Sequence, residues 1–335
     1  MNVAMWLKAL RVIPRINKEE WMRLDVISRW LISTRAAVLI MTFISAAIAG
    51  LLAARAGMFD GGRWILLVIG LIFAHATNNL LNDLTDYTRG VDRDNYFRTQ
   101  YGPQPLEQGL MTRRELLAYA GITGAIALAA GIALVLQTGW LTLALLAAGA
   151  FFVLFYTWPL KYIGLGELTV LLVWGPLMIA GGYYVITGQW DWNVVIASLP
   201  YGLGPTTVIF GKHIDKLAED RRKRIFTLPV ILGEKGARVG AMLMMALMYL
   251  SVIYLVVTGY FSPVMLVVLL ALPTLFKILP VFRAPKPESA PANAPMGIQQ
   301  GWPLWFVSFA FYHNRAFGMW FLLGLLAELV LRLVL

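Results

Sequence analysis

Residues 78–92, NNLLNDLTDYTRGVD, set three asparagines and three aspartates at the end of an otherwise apolar run. At about 100° per residue, His75, Asn79, Asn82, Asp83 and Asp86 fall within a sector of roughly 100° on one helical face. Leu80, Leu81 and Leu84 cover much of the remaining surface, so the polar sector is expected to face the interior of a helix bundle. Gly90 lets the chain turn and returns Asp92 toward the same spot, while Asn78 falls off the sector and is expected to pack between helices. Carboxylates pressed together repel one another and rise in pKa unless a cation neutralises them. The plain alternative is a solvated helix end built from capping and turn residues.

A second acidic cluster stands in FGKHIDKLAEDRRKRIFTLPVILGE, with Asp215 and Glu219 four residues apart and Asp220 four residues from Lys216. Two such clusters supply oxygen ligands of the kind hard divalent cations prefer, and magnesium commonly joins a few carboxylates to substrate phosphates. The candidate magnesium ligands are Asn82, Asp83, Asp86, Asp92, Asp215, Glu219 and Asp220. Arg89, Arg93, Arg98, Lys161, Lys212 and Lys216 can carry the remaining charge of a diphosphate.

These residues need a scaffold, and composition indicates which kind. The 335 residues are 59% hydrophobic and 14% charged with a mean hydropathy of +0.70, far more apolar than a soluble domain. The chain reads as an all-α membrane protein. It has no cysteine and three histidines, which excludes disulfides and thiolate–metal chemistry and argues against a zinc site.

Apolar runs of about 20 residues, the length that crosses a hydrocarbon core of roughly 30 Å, fall near 31–53, 64–85, 116–137, 140–157, 166–187, 192–214, 239–259, 263–282 and 315–334. Nine transmembrane helices in one bundle are therefore expected, as two four-helix units plus one, since both acidic clusters end even-numbered spans. Residues 1–30 read as an interfacial amphipathic segment, and 31–335 as the nine-helix domain. Of 28 Lys and Arg, only Arg55, Arg63 and Arg332 fall on one side; the other 25 fall on the side of the N-terminus, which is therefore expected to be cytoplasmic. That placement accounts for the net charge of +10 through anionic lipid, with no nucleic acid partner. The expected setting is a multi-pass protein of the inner, cytoplasmic membrane with its site facing the cytoplasm. The Pro/Ala-rich run 284–300 reads as a flexible connection, and GLGP at 202–205 either breaks the sixth span or packs it closely against a neighbour.

A magnesium–diphosphate site beside apolar helices suits an allylic prenyl diphosphate, because metal stabilisation of the departing diphosphate lets an allylic cation form for a nucleophile to capture. The residues also resemble a known family. NDLTDYTRGVD has the NDxxDxxxGxD form of the first aspartate motif of the UbiA superfamily of intramembrane prenyltransferases, in its 1,4-dihydroxy-2-naphthoate prenyltransferase (MenA) branch. YGPQPLEQGLMTRRE, YTWPLKYIGLGE and WGPLMIAGGYYVITG extend the resemblance over most of residues 64–235.

The resemblance implies a nine-helix bundle around a cavity, magnesium held by both aspartate motifs, and transfer of a polyprenyl chain to an aromatic acceptor, with naphthoate prenylation leading toward menaquinone. It places Asn82, Asp83, Asp86 and Asp92 at the first motif's positions and Asp215 at the second, where Glu219 and Asp220 compete for the other position. The span near 31–53 departs from relatives that carry Arg-Pro, having Arg35 in STRAAVL.

Asp86, Asp215, Lys161 and Glu167 are the candidate catalytic residues, with Lys161 positioning diphosphate and Glu167 the acceptor; a snorkelling helix-end Lys is the plain alternative. Arg89, Arg93, Lys212 and Lys216 are candidates for diphosphate contact, and Tyr156 for shielding the prenyl cation, unless it is an interfacial anchor. His75 is either a base or a structural histidine, and His313 and Arg315 are expected to cap the last span. Rival acceptors are 4-hydroxybenzoate, homogentisate, chlorophyllide and a glyceryl lipid. A transporter is the rival of another class, disfavoured because the carboxylates sit at helix ends and not at the midplane. Tags at residue 1 and after residue 335 are expected to report from the cytoplasmic and the outer side respectively; tags on the same side would mean an even number of spans.

Overall fold

In the computed structural model, residues 2–91, 102–292, 299 and 301–334 are described. They form helices joined by turns, with no β-strand among them. Eight of the helices are long and apolar enough to cross a membrane: α4 (Ala36–Arg55), α5 (Gly61–Thr88), α6 (Arg113–Thr138), α8 (Gly166–Thr187), α9 (Trp192–Asp215), α11 (Leu228–Val257), α12 (Pro263–Arg283) and α13 (Phe306–Val334). The protein is thus a multi-pass integral membrane protein. The helix in the expected fourth span, α7 (Trp140–Phe155), has 16 residues, about 24 Å at 1.5 Å per residue. Four short helices complete the set: α1 (Val3–Arg11), α2 (Lys18–Met22), α3 (Val26–Ser33) and α10 (Leu217–Arg222).

The chain forms two compact units, Met1–Ile44 with Ile65–Trp158, and Ser45–Trp64 with Pro159–Leu335. The boundary does not divide two runs of four helices, because residues 45–64 pack with the second unit. Arg55 pairs with Glu328, and Arg63 donates to the Ile186 carbonyl.

In the first unit, polar residues fix where the helices begin. Asn2 caps α1, Asn17 and Glu20 form a reciprocal capping box on α2, and Thr112 and Glu115 form another on α6. Asp25 caps α3 through the Ser28 N–H and also accepts from the Trp6 indole at 3.0 Å and the Asn2 N–H at 2.8 Å, so one carboxylate joins α1 to α3. The backbone N–H of Ser28, followed by these other donors, holds the Asp25 carboxyl far below the usual range. Ala9, Trp21, Leu24, Leu31 and Ile32 form the core beneath the N-terminal helices and join Ala76 and Leu80 of α5. The expected first span, 31–53, is interrupted: α3 ends at Ser33, Arg35 takes a positive φ of 55°, and α4 starts at Ala36.

In the second unit, α9 packs against α8, α11 and α13. It runs without a break through Pro200 and Pro205, so close packing and not helix breaking explains GLGP. A Cβ on Gly202 would lie 2.9 Å from Gly175 Cα in α8. Irregularity lies elsewhere: the Val173–Ala180 segment of α8 is a π-helix around Pro176, and α11 is kinked at Gly233, whose φ is 72°. The last helix begins at Phe306 and not near 315, so His313 is an interior residue, fully buried and bonded to the Tyr249 hydroxyl at 2.9 Å.

Arg55, at the end of α4, lies 2.7 Å from the Glu328 carboxylate and 4.4 Å from the Tyr260 ring centroid, and it also donates to the Tyr260 carbonyl. Glu328 accepts from the Ser262 N–H as well and is 1% exposed. Removing one partner of a buried pair leaves the other charge uncompensated, which costs roughly 3–5 kcal/mol. Glu328→Ala is therefore expected to lower thermal stability in detergent by several degrees, and Glu328→Gln by less; equal melting curves for wild type and Glu328→Ala would refute this assignment.

Candidate active site

The first acidic motif occupies the last turns of α5, within the first unit. His75, Asn79 and Asp83 recur every four residues and so share one stripe of the helix. Each meets the chain around the α3–α4 junction. His75 Nδ1 bonds the Thr42 hydroxyl at 2.7 Å, Asn79 donates to the Thr34 carbonyl at 2.8 Å, and Asp83 forms an ion pair with Arg35. His75 is therefore tied by its Nδ1 to α4.

Asn78 and Asn82 make a second polar stripe toward α7 and the turn after it. Asn78 donates to the Val153 carbonyl and Asn82 to the Thr157 hydroxyl, both at 3.0 Å. Asn78 thus packs between helices, as its angle on the wheel suggested. Asn82, expected among the metal ligands, has its amide nitrogen committed to Thr157, which leaves its carbonyl oxygen as the donor for a cation.

Asp86 follows Asp83 by three residues and is 7% exposed; Asp83 is 3% exposed. Gly90 closes the helix with φ 69°, and the Val91 N–H returns to the Asp86 carbonyl at 2.9 Å, a glycine-dependent C-terminal turn. Asp92 and Arg93 lie outside the described residues. Arg89 stacks its guanidinium 4.4 Å from the Trp158 ring centroid, and Tyr156 is half-buried at the end of α7.

The second motif lies at the end of α9, within the second unit. Asp215 is the last residue of α9 and is 6% exposed. Its two carboxylate oxygens accept the backbone N–H groups of Phe306 and Val307, each at 3.0 Å, where α13 begins. Lys286 lies 3.4 Å from the same carboxylate and donates to the carbonyls of Asp215 and Pro303 at 3.1 and 2.5 Å. Asp215, expected to be a metal ligand, caps the helix that begins at Phe306, with one backbone N–H on each of its oxygens. Gly211 permits this, because a Cβ there would lie 2.8 Å from the Phe306 backbone.

Glu219 pairs with Lys223 at 2.9 Å, and Asp220 with Lys216 at 2.8 Å. Asp220 is 1% exposed, and its second oxygen, Oδ2, has no hydrogen-bond partner. Of the two competing positions, Asp220 is the more buried and keeps one carboxylate oxygen outside its ion pair. Lys216 is engaged by Asp220, and Lys212 is half-buried in the last turn of α9.

Lys161 is buried in the helical turn Leu160–Ile163, with its ammonium 5.8 Å from the Tyr162 ring centroid. Glu167 is 1% exposed and bonds His213 Nδ1 at 2.5 Å, while its other oxygen accepts the Leu228 N–H at 3.2 Å. Glu167 was expected to position an acceptor; its observed partners are the end of α9 and the start of α11.

Lys286 was missed in the sequence, where 284–300 read as a flexible connection. Burial lowers its pKa and the Asp215 carboxylate opposes that shift. Its sequence signal is slight, a lone Lys among Pro and Ala. His213 gave no signal of its own beyond its place before Asp215.

Among the described residues, no three His, Cys, Asp or Glu side chains converge as a preformed metal cage. Magnesium does not require one, since it keeps several waters and is held by one or two carboxylates with substrate phosphates. Within the first unit, Asp83 and Asp86, buried one helical turn apart beside Asn82, fit that oxygen-only chemistry; within the second unit Asp220, buried and with Oδ2 unpartnered, fits it separately.

The sequence profile of the UbiA prenyltransferase family matches residues 43–298. The 1,4-dihydroxy-2-naphthoate octaprenyltransferase of Escherichia coli K12 is 29% identical over 220 residues, which are 62% of this chain and 70% of that one. The chain spans 50% to 77% of the length of the first curated relatives it matches. Among solved structures, the apo UbiA homolog of Aeropyrum pernix K1 superposes with a TM-score of 0.61 at 19% identity, covering 87% of this chain and 98% of that one. A UbiA homolog of Archaeoglobus fulgidus, bound to DMAPP and Mg2+, has a TM-score of 0.54 at 16% identity and covers 86% and 98%. With eight apolar helices of spanning length, a buried acidic motif on α5 and a profile match over most of its length, the chain belongs to the UbiA prenyltransferase family, a family of transferases.

Proposed function

We propose that this protein transfers a polyprenyl group from a prenyl diphosphate to an aromatic acceptor, with magnesium, and that the acceptor is 1,4-dihydroxy-2-naphthoate on a route to menaquinone. The observation that carries the reading is the pair of buried carboxylates, Asp83 and Asp86, at the end of an apolar helix, where an acid is costly unless it serves function. The naphthoate acceptor is supported by the E. coli relative's activity, and magnesium with a prenyl diphosphate by the ligands of the Archaeoglobus homolog.

Magnesium, when bound, offsets the charge that develops on the departing diphosphate. Asp83, Asp86 and the Asn82 carbonyl would hold it in the first motif, with Asp92 as a further ligand, and Asp220 would hold it in the second. Arg89 and Arg93, with Lys161 and Lys212, bind diphosphate oxygens as fixed positive charge. The Tyr156 ring shields the developing allylic cation. Glu167, locked between His213 and the Leu228 amide, keeps a fixed carboxylate from which the acceptor is oriented. The apolar helices exclude water that would otherwise capture the cation. Nine spans, a cytoplasmic N-terminus and an active site opening to the cytoplasm of the inner membrane complete the proposal, with α7 as the short ninth span.

Membranes containing the protein, given magnesium, a prenyl diphosphate and a panel of naphthoate, 4-hydroxybenzoate, homogentisate, chlorophyllide and a glyceryl phosphate, are expected to yield the prenylated naphthoate by mass spectrometry. No prenylated product and no diphosphate release would end this reading, and another prenylated acceptor would replace the naphthoate. Asp86→Asn is expected to lower turnover on the order of 10²–10³-fold, the usual scale for losing a group that stabilises transition-state charge, with an unchanged melting temperature. Asp215→Asn is expected to lower both turnover and melting temperature, since it weakens the cap of α13; wild-type stability in that variant would contradict the capping role.

A further inference from the structure

Arg35 is held in a conformation that ordinary residues avoid. Its φ is 55°, and among the described residues only Arg224 shares a positive φ without being glycine. Such a backbone persists only where its surroundings over-determine it, and it is found disproportionately at ligand clamps and switches. The surroundings are on both sides of it: the Thr34 carbonyl is gripped by Asn79 at 2.8 Å, the Arg35 N–H returns to the Ile32 carbonyl at 3.0 Å, and its own carbonyl starts α4 by accepting the Val38 N–H at 2.9 Å. The side chain is thereby delivered to Asp83.

The two partners differ in access. The Asp83 side chain is 3% exposed and cannot leave the helix, whereas the Arg35 side chain is 17% exposed and ends a flexible stem. A buried carboxylate without a counter-charge is strongly destabilising, so some cation must accompany Asp83 before any metal arrives. A guanidinium and a divalent cation on one carboxylate repel each other, so magnesium and Arg35 compete for Asp83. A displaced guanidinium is also well matched to phosphate, whose oxygens it binds through its planar fork.

We propose that Arg35 is the built-in counter-ion of the first acidic motif: it occupies Asp83 while no metal is bound, gives that carboxylate to the incoming divalent cation, and then takes an oxygen of the diphosphate. This rests on the prenyl diphosphate reading above and adds to it a residue that sets metal affinity in one direction and diphosphate affinity in the other. No bond is made or broken; the exchange is between ion pairs.

The test uses purified full-length protein, with free Mn2+ followed by its EPR signal and inorganic diphosphate titrated in the presence of Mn2+. Removing the competing charge in Arg35→Gln is expected to tighten Mn2+ binding about tenfold and to weaken diphosphate binding by a similar factor, the order expected for one charged contact. Arg35→Lys, which keeps a cation on a flexible stem, is expected to stay within about twofold of wild type for Mn2+, because a single charge suffices for the competition. In an Asp83→Asn background, Arg35→Gln is expected to leave Mn2+ affinity unchanged, since the effect runs through that carboxylate. A merely structural role would move both affinities in the same direction. If wild-type protein prenylates an acceptor but Arg35→Gln binds Mn2+ no tighter than wild type, the counter-ion role is overturned and the reaction stands. If the opposed shifts appear while no acceptor is ever prenylated, the reaction falls and the counter-ion role stands.

Discussion

A carboxylate taken out of water must be given a charge or a set of N–H groups, and the helices of this protein are arranged around that requirement. Asp83 takes a guanidinium, Asp215 takes two backbone amides and a lysine, Asp220 takes a lysine, and Glu328 takes an arginine. All but the local Asp220–Lys216 pair join segments distant in sequence that are apolar elsewhere and would otherwise have little to fix their register. Since lipid is as apolar as a leucine side chain, such polar contacts and close glycine approaches do the specifying that hydrophobic burial does in water. The stripe of His75, Asn79 and Asp83 is the clearest case, because three successive helical turns each find a polar partner in one neighbouring segment.

The two acidic motifs differ in what their side chains can still do. In the first, Asp83 and Asp86 lie one turn apart on α5, Asn78 and Asn79 are committed to neighbouring backbone carbonyls, and Asn82 keeps its carbonyl oxygen. In the second, Asp215 caps α13, and among the described residues Asp220 keeps an oxygen outside its pair with Lys216. A motif that reads as one row of ligands is therefore a mixture of residues committed to packing and capping and residues that keep an oxygen uncommitted. Glu167 is fixed in place by His213 of α9 and the Leu228 amide of α11.

Much of this was legible in the sequence. The length and spacing of apolar runs located the membrane helices, because a hydrocarbon core imposes both, and the 3.6-residue period put His75, Asn79 and Asp83 on one face before any partner was known. The turn at Gly90 followed from the need for a left-handed residue after the helix. What was not legible depends on contacts distant in sequence. No pattern near Asp215 reveals that Phe306 and Val307 will need acceptors, and nothing near Lys286 reveals that it fills the gap beside them. The start of α13 was misplaced for a related reason: FVSFAFYHN is apolar enough to continue a helix backward from residue 315, but the polar His313 suggested an end. The break at Arg35 was hidden because STRAAVL has neither glycine nor proline to announce it.

The cap of α13 also bears on the order of synthesis. Asp215 and Phe306 are separated by 91 positions, and the helix that supplies the amides leaves the ribosome well after α9. Until it inserts, the carboxylate at the end of α9 has neither of its two amide donors, and the connection carrying Lys286 has no Pro303 carbonyl to hold. The second motif therefore reaches its final geometry only after α13 has been made, about ninety residues later than Asp215 itself, whereas the Asp83–Arg35 pair of the first motif needs nothing beyond α5.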